Sequence, residues 1–364
     1  MGLRVLYDGY WLHDGPPSGR NVGASVLRAW AQEFPGDELE VAVPVPDDVP
    51  VPLVDALPVA RRHVPTPVSN HQLWVRTRLG AAAAGADAVV SQNFLPGPQR
   101  HGVPSVVLVY DLIFREHPEW FTLAERVYLR GVASAMRGAS AVVTISETER
   151  RRIQRHYPAA ARRVRSIGLG LPSGLEHAVA RPVERGSDRP FLLSVGRLNV
   201  RKNLGRLIEA YTSSPALTAA FDLVIVGETN GRAAELGAAA AGPGRVDFLG
   251  GVDDAQLKWL YRNTALFAFP SLDEGFGLPL LEARSLGAPS AVSDIPVFHE
   301  LGFADAYFDP SDVASIRAVL EAQLAGGRPE GGTKGDPSRY AWANVARGMR
   351  EQLTAGRGAL EAAS

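Results

Sequence analysis

The chain has 364 residues, 46 % of them hydrophobic and 21 % charged, with a net charge of −1. This length predicts two domains of about 150–200 residues, the composition excludes a disordered chain, and the charge gives no argument for nucleic-acid binding. Cysteine is absent, which excludes disulfides, thiolate catalysis and cysteine-held zinc.

The amino-terminal "MGLRVLYDGYWL" lacks the long apolar core of a signal peptide, and no run approaches the ~20 apolar residues of a spanning helix. A cytoplasmic protein is therefore expected. "LRVLYDG" reads as a strand, followed by a polar Gly/Pro loop and a helix over "NVGASVLRAWAQEF". "LEVAVPV", "ADAVVSQ", "PSVVLVYD" and "ASAVVTIS" read as further strands, buried on both faces by their continuous aliphatic character. Helical patterns such as "LAERVYLRGVASAMRGA" separate them, and Ser146 to Glu149 has the spacing of a capping box. The alternation predicts a parallel sheet with helices on both sides.

Between about 170 and 189 the periodicity fails and Pro, Gly and charge dominate, which marks a linker. The alternation restarts with "PFLLSVG", "NLGRLIEAYTSS", "FDLVIVG", "VDFLGG", "DAQLKWLYRNT" and "LFAFPS"; "PSAVSD" and "DAYFDP" supply the last strands. The expected domains are 1–170, a linker 171–189, a second domain 190–337 and a final helix in 338–364. Both are doubly wound α/β units facing each other across a cleft, where ligands would bind beyond the strand ends.

"SVGRLNVRKN" places Arg197 and Lys202 after a buried strand and near the start of the next helix. A forked guanidinium and a point-charge ammonium beside unpaired helix N–H groups suit a diphosphate; the alternative is a pair of solvated helix-start residues. "FPSLDEGFGLPLLEA" then spaces Glu274 and Glu282 eight apart across a tight glycine loop. Glu274 falls in the loop, where a carboxylate can meet sugar hydroxyls. The N–H groups around Gly277 and Leu278 can face phosphate. Glu282 falls in the helix that follows and can accept both hydroxyls of a ribose; the alternative is a surface helix residue. Its apolar neighbours make the helix largely buried, where an unpaired carboxylate is costly.

These segments together resemble the retaining glycosyltransferases of family 4, whose marks are Gly-Arg-x4-Lys-Asn and Glu-x7-Glu on a GT-B fold of two Rossmann-like domains. The likeness extends over "VDFLGGVDDAQLKWLYRNT", "SDIPVFHELGFADAYFDPSD" and "YAWANVARGMREQL", and so over nearly all of 190–355. The resemblance implies a nucleoside-diphosphate sugar held by the second domain. Arg197 and Lys202 would take the diphosphate, Glu282 the ribose, Glu274 the donor sugar, and the strand with Phe248 and Leu249 the base. It also implies that the final helix crosses back to the first domain. No Asp-x-Asp occurs in the chain, so no metal and no further cofactor are expected, with Arg197 and Lys202 neutralising the diphosphate.

The first domain should bind the acceptor, a glycan or a lipid-linked sugar. "VLVYDLIFREHPEWF" resembles the family's acceptor-side segment, with Tyr110 where a His is usual and Asp111 retained at the end of a strand. Asp111 is a candidate catalytic-site residue, or a structural cap. "PPSGRNVGASVL" resembles the family's glycine loop, Gly19 allowing close backbone approach to a phosphate. Residues 149–165 carry seven arginines. They read as a solvated helix face, or else as a patch holding the protein on an anionic inner membrane leaflet.

The expected activity is retaining transfer of a sugar, mannose from GDP-mannose favoured, to a growing glycan or lipid-linked acceptor of envelope polysaccharide or glycolipid. A GT-B-shaped binding protein without turnover is the rival, motivated by Tyr110 in place of the usual His and by Asn21 in place of the loop's second glycine. An NAD-dependent enzyme is disfavoured, because the first loop lacks Gly-x-Gly-x-x-Gly.

Overall fold

The computed structural model describes residues 2–66, 69–97, 103–171, 179–182, 185–228, 236, 240–326 and 335–361. The chain divides into two compact units, 1–170 with 339–364, and 171–338. Of the segment read as a linker, 172–178 and 183–184 lie outside the described residues.

The first unit is a seven-stranded parallel sheet in the order β3-β2-β1-β4-β5-β6-β7. Its strands are β1 (Arg4–Asp8), β2 (Glu38–Val43), β3 (Ala60–His63), β4 (Ala88–Gln92), β5 (Ser105–Val109), β6 (Ala141–Thr144) and β7 (Val164–Ser166). β4, β5 and β6 are buried along their whole length, as their unbroken aliphatic runs predict. The edge strands β3 and β7 read "ARRH" and "VRS". They escape sequence reading because they carry neither alternation nor an aliphatic run.

Two local expectations fail. The polar stretch after β1 is not a loop but a short helix, Tyr10–Asp14, followed by the helix Pro17–Glu33. Pro17 occupies the first helical position, where its missing N–H costs nothing. The long helical pattern after residue 122 is two helices, Leu123–Leu129 and Val132–Gly138.

The helix Trp342–Glu361 also belongs to the first unit. It packs on the helix Pro17–Glu33 with Val345, Ala346, Met349 and Leu353 buried. Arg350 forks Asp37 at 2.7 and 2.9 Å, and Asp37 also accepts from Trp30 Nε1 and the Leu3 N–H. Burial acts to raise the Asp37 carboxyl, but these donors together hold it below its ordinary range.

The second unit is a six-stranded parallel sheet ordered β10-β9-β8-β11-β12-β13. Its strands are β8 (Phe191–Val195), β9 (Asp222–Val226), β10 (Val246–Gly250), β11 (Leu266–Phe269), β12 (Ser290–Ser293) and β13 (Ala306–Phe308). Strand order reverses between β8 and β11 here, and between β1 and β4 in the first unit. At such a reversal the two outgoing loops diverge and leave a crevice beyond the strand C-termini. Among the buried polar residues, Asp8 and Gln92 end strands at the reversal in the first unit, and Lys202 and Glu274 follow such strands in the second.

Candidate active site

In the second unit the crevice is built by the segments that follow β8 and β11. Beyond β8, Asn199 caps a turn over Val200–Lys202, and Asn203 takes a left-handed conformation that opens the helix Leu204–Thr212. The Asn203 side chain donates to the carbonyls of Pro270 and Pro310 at 3.1 and 2.7 Å. That fixes the turn against the end of β11 and directs Lys202 inward. Gly196, with φ of +151°, lets the lysine through, since a Cβ there would lie 2.8 Å from Lys202 Cε.

Lys202 is buried, lies over the Phe269 ring at 4.6 Å, and meets Glu274 Oε1 at 2.5 Å. Ser271 donates to the same oxygen at 2.8 Å, and Arg201 stands 3.5 Å from Oε2. Burial acts to raise the Glu274 carboxyl. Lys202, then Arg201 and Ser271, outweigh it and hold the group below its ordinary range. Burial also draws the Lys202 ammonium down, partly offset by Glu274. The pair is a preformed, desolvated ion pair at the strand ends.

Gly277, at φ +101°, starts the helix Leu278–Ser285, and a Cβ there would meet Phe298 at 2.8 Å. Only glycine makes this turn without strain. Glu282 lies on that helix with 9 % of its surface exposed. Its Oε2 accepts from Tyr261 at 2.8 Å. Burial pushes its carboxyl up to about 7, against the lowering effect of the Tyr261 hydrogen bond and Lys202, with Asp254 adding to the rise. A carboxylate held by one such hydrogen bond keeps acceptor positions for two hydroxyls.

Arg197 is exposed in the loop after Gly196. Phe248 lies on the edge strand β10, 37 % exposed, and Leu249 beside it is half-buried. The structure thus brings Lys202 onto Glu274, and sets Gly277 and Leu278 at the start of the helix that carries Glu282. Sequence reading missed Arg201 and Tyr261. Neither offered a signal, because each is defined by a contact with a glutamate remote in sequence.

In the first unit the crevice is lined by a different polar set. Asp8, at the end of β1, is wholly buried and accepts from His71 Nε2 at 2.7 Å and from the N–H groups of Gln92 and Tyr10. Tyr110 donates to Gln92 Oε1 at 2.6 Å, and burial raises its hydroxyl well above the ordinary range. Sequence reading missed Asp8, although it ends a strand at the reversal point just as Asp111 follows one. Asp111 is half-buried and its Oδ1 accepts from the Ile113 N–H at 3.2 Å, a local turn contact two residues on, just ahead of the short helix Ile113–Glu116 whose cap position is Leu112.

Gly19 requires a correction. It sits in the first turn of a helix, not in a loop, and the Trp11 ring lies where its Cβ would be, at 2.5 Å. Its missing side chain is taken up by an indole. The arginine-rich segment 149–165 is largely engaged within its own unit. Arg150 and Arg151 pair with Glu147, Arg152 with Glu116 and Glu149, Arg155 with Glu116, and Arg163 donates to backbone carbonyls.

Among the described residues no helix is long and apolar enough to cross a membrane, and no cluster of three His, Asp or Glu side chains gathers as metal ligands.

Two family models match the chain. Residues 19–170 match a glycosyl transferase 4-like domain, and residues 179–321 match the glycosyl transferases group 1. The chain belongs to the group 1 glycosyltransferases, family 4. It is 32 % identical over 228 residues to the serotype-specific mannosyltransferase WbdA of Escherichia coli, an alignment covering 57 % of this chain and 28 % of that protein. The O-antigen chain mannosyltransferase B of Escherichia coli is 28 % identical over 232 residues, covering 60 % of this chain and 61 % of that one. The chain therefore spans less than two thirds of these relatives. Anabaena HepE, crystallised with UDP and glucose, superposes with a TM-score of 0.63 at 18 % identity, covering 99 % of each chain. That likeness is one of fold, and the two parallel sheets of this glycosyltransferase are those of GT-B proteins.

Proposed function

We propose that this family 4 glycosyltransferase moves a hexose, with retention, from a nucleoside-diphosphate sugar to a glycan or lipid-linked acceptor in envelope polysaccharide or glycolipid synthesis. The observation that carries the proposal is the Lys202–Glu274 pair at the strand reversal, with Glu282 on the adjoining helix. Lys202, Arg201 and Arg197 against Glu274 leave a net of two positive charges, which balances the roughly −2 of a diphosphate diester. Arg197 and Lys202 bind the diphosphate together with the N–H groups at Gly277 and Leu278. Glu282 accepts the ribose hydroxyls, and Phe248 and Leu249 flank the base. When Lys202 turns to phosphate, Glu274 is freed to orient the sugar hydroxyls. Asp111 acts on the acceptor side, and the departing diphosphate takes the acceptor proton on the same face of the sugar.

Mannose from GDP-mannose is the favoured donor, because WbdA and the O-antigen enzyme are named as mannosyltransferases. The cationic side chains support transfer without a divalent metal. The reading places the enzyme in the cytoplasm, with its donor. A membrane contact through 149–165 has weaker support than the arginine count suggests, since much of that charge is neutralised by Glu116, Glu147 and Glu149.

The test is a screen of GDP-mannose, UDP-glucose and UDP-N-acetylglucosamine for binding and slow hydrolysis, repeated in EDTA. GDP-mannose should bind and hydrolyse in both conditions. Hydrolysis of a uridine donor alone would overturn the mannose reading, and activity lost in EDTA but restored by Mg²⁺ or Mn²⁺ would overturn the metal-free one.

A further inference from the structure

Tyr261 lies near the end of the helix Asp254–Asn263 and is wholly buried. Its ring meets Phe267 of β11 edge-on, with centroids 5.5 Å apart, which fixes the direction of the phenol. Its hydroxyl reaches Glu282 Oε2 at 2.8 Å. A phenol placed only to fill space gains nothing from its oxygen, whose burial must be repaid by a partner. Here that partner is the carboxylate read as the ribose acceptor.

We propose that Tyr261 is a positioning residue for the nucleotide ribose, holding one oxygen of Glu282 so that the carboxylate's remaining lone pairs face the diol. The proposal rests on the ribose reading of Glu282. A carboxylate offers about four lone-pair positions, all acceptors, whereas the protonated acid turns one of them into a donor. Two ribose hydroxyls that both donate therefore need the ionised form. Burial opposes that form and brings the carboxyl to about 7. The groups acting on Glu282 are Tyr261 and Lys202, which favour its ionisation, and Asp254, which opposes it. Tyr261 is itself held neutral, its hydroxyl pushed up by burial first and by Glu282 second, so it stays a donor. The tyrosine thus both aims the carboxylate and keeps it charged near neutrality.

The experiment measures GDP-mannose affinity by calorimetry from pH 5.5 to 8.5, with UDP-glucose in parallel, because a diphosphate diester keeps its charge across that range. Wild-type affinity should rise with pH through a midpoint near 7. Tyr261→Phe should move the midpoint upward and weaken binding at pH 7 about three- to tenfold. In a Glu282→Gln background, which removes the titration, adding Tyr261→Phe should cost no further affinity. An unshifted midpoint in Tyr261→Phe, or the same loss in both backgrounds, would overturn the positioning role. Wild-type affinity and pH profile in Glu282→Gln alone would instead overturn the ribose reading beneath it.

Discussion

Lys202 Nζ and Glu274 Oε1 lie 2.5 Å apart, joining two segments 72 residues distant in sequence. Both side chains are buried, so neither can be removed without consequences for the other.

Lys202→Ala should therefore lower stability as well as donor affinity. Breaking a buried pair from one side costs about 3–5 kcal/mol; Arg201, 3.5 Å from Glu274, should keep the loss near the lower figure. Arg197→Ala, at an exposed position, should leave the melting temperature within a degree or two while weakening GDP binding at least tenfold. Melting curves and calorimetry on both variants check this. Equal stability of the two would mean that the ion pair is not a structural element.

Glu274→Gln retains shape and one acceptor oxygen but removes the charge. Transfer should fall on the order of 10²-fold, as expected when a group acts on the sugar and not on the nucleotide. GDP affinity should not fall, because Lys202 is released for phosphate. A product assay beside calorimetry separates the two; transfer at the wild-type rate would leave Glu274 with a structural role alone.

Glu282 should make the protein less stable as pH rises. Its folded carboxyl, at about 7, lies above the ordinary 4.5, so the folded state binds the proton more tightly and stability is lost between those two values. The loss amounts to about 3 kcal/mol once both states are ionised. Glu282→Gln should therefore be the more stable protein at pH 8 and lose that advantage near pH 4.5. Urea unfolding at the two values tests the sign, and an equal difference at both would refute it.

At Asp111 the turn contact and the chemistry can be separated. Asp111→Asn keeps an oxygen for the Ile113 N–H, so stability should hold, while Asp111→Ala should lose about 1 kcal/mol with that hydrogen bond. If the charge serves the acceptor side, Asn and Ala should cut transfer alike, with GDP affinity unchanged. Full transfer by Asp111→Asn would confine the residue to its turn contact.

Local pattern carried much of this structure. The aliphatic runs of β4, β5, β6, β9 and β11 announce a buried parallel sheet, and glycine with proline places Glu274 in a loop and Glu282 in a helix. What the chain does not announce is tertiary. That Glu274 faces Lys202, and Glu282 Tyr261, follows from strand order and not from any spacing. Gly19 misled as to its element for the same reason: a glycine that admits an indole in the first turn of a helix looks, in one dimension, like a loop glycine. Polar edge strands such as β3 stay hidden because solvent contact removes the hydrophobic signal.

The helix Trp342–Glu361 completes the first unit with residues made after the second unit. Until it emerges from the ribosome, the helix Pro17–Glu33 lacks its cover and Asp37 lacks Arg350. The second unit, continuous from 171 to 338, has its whole sequence available earlier. Synthesis should thus deliver a finished second unit while the first still waits with an apolar face open, the reverse of the usual amino-terminal-first order. A chain cut at residue 338 would keep that face exposed permanently, and aggregation, rather than a clean loss of activity, is the expected fate of such a truncation.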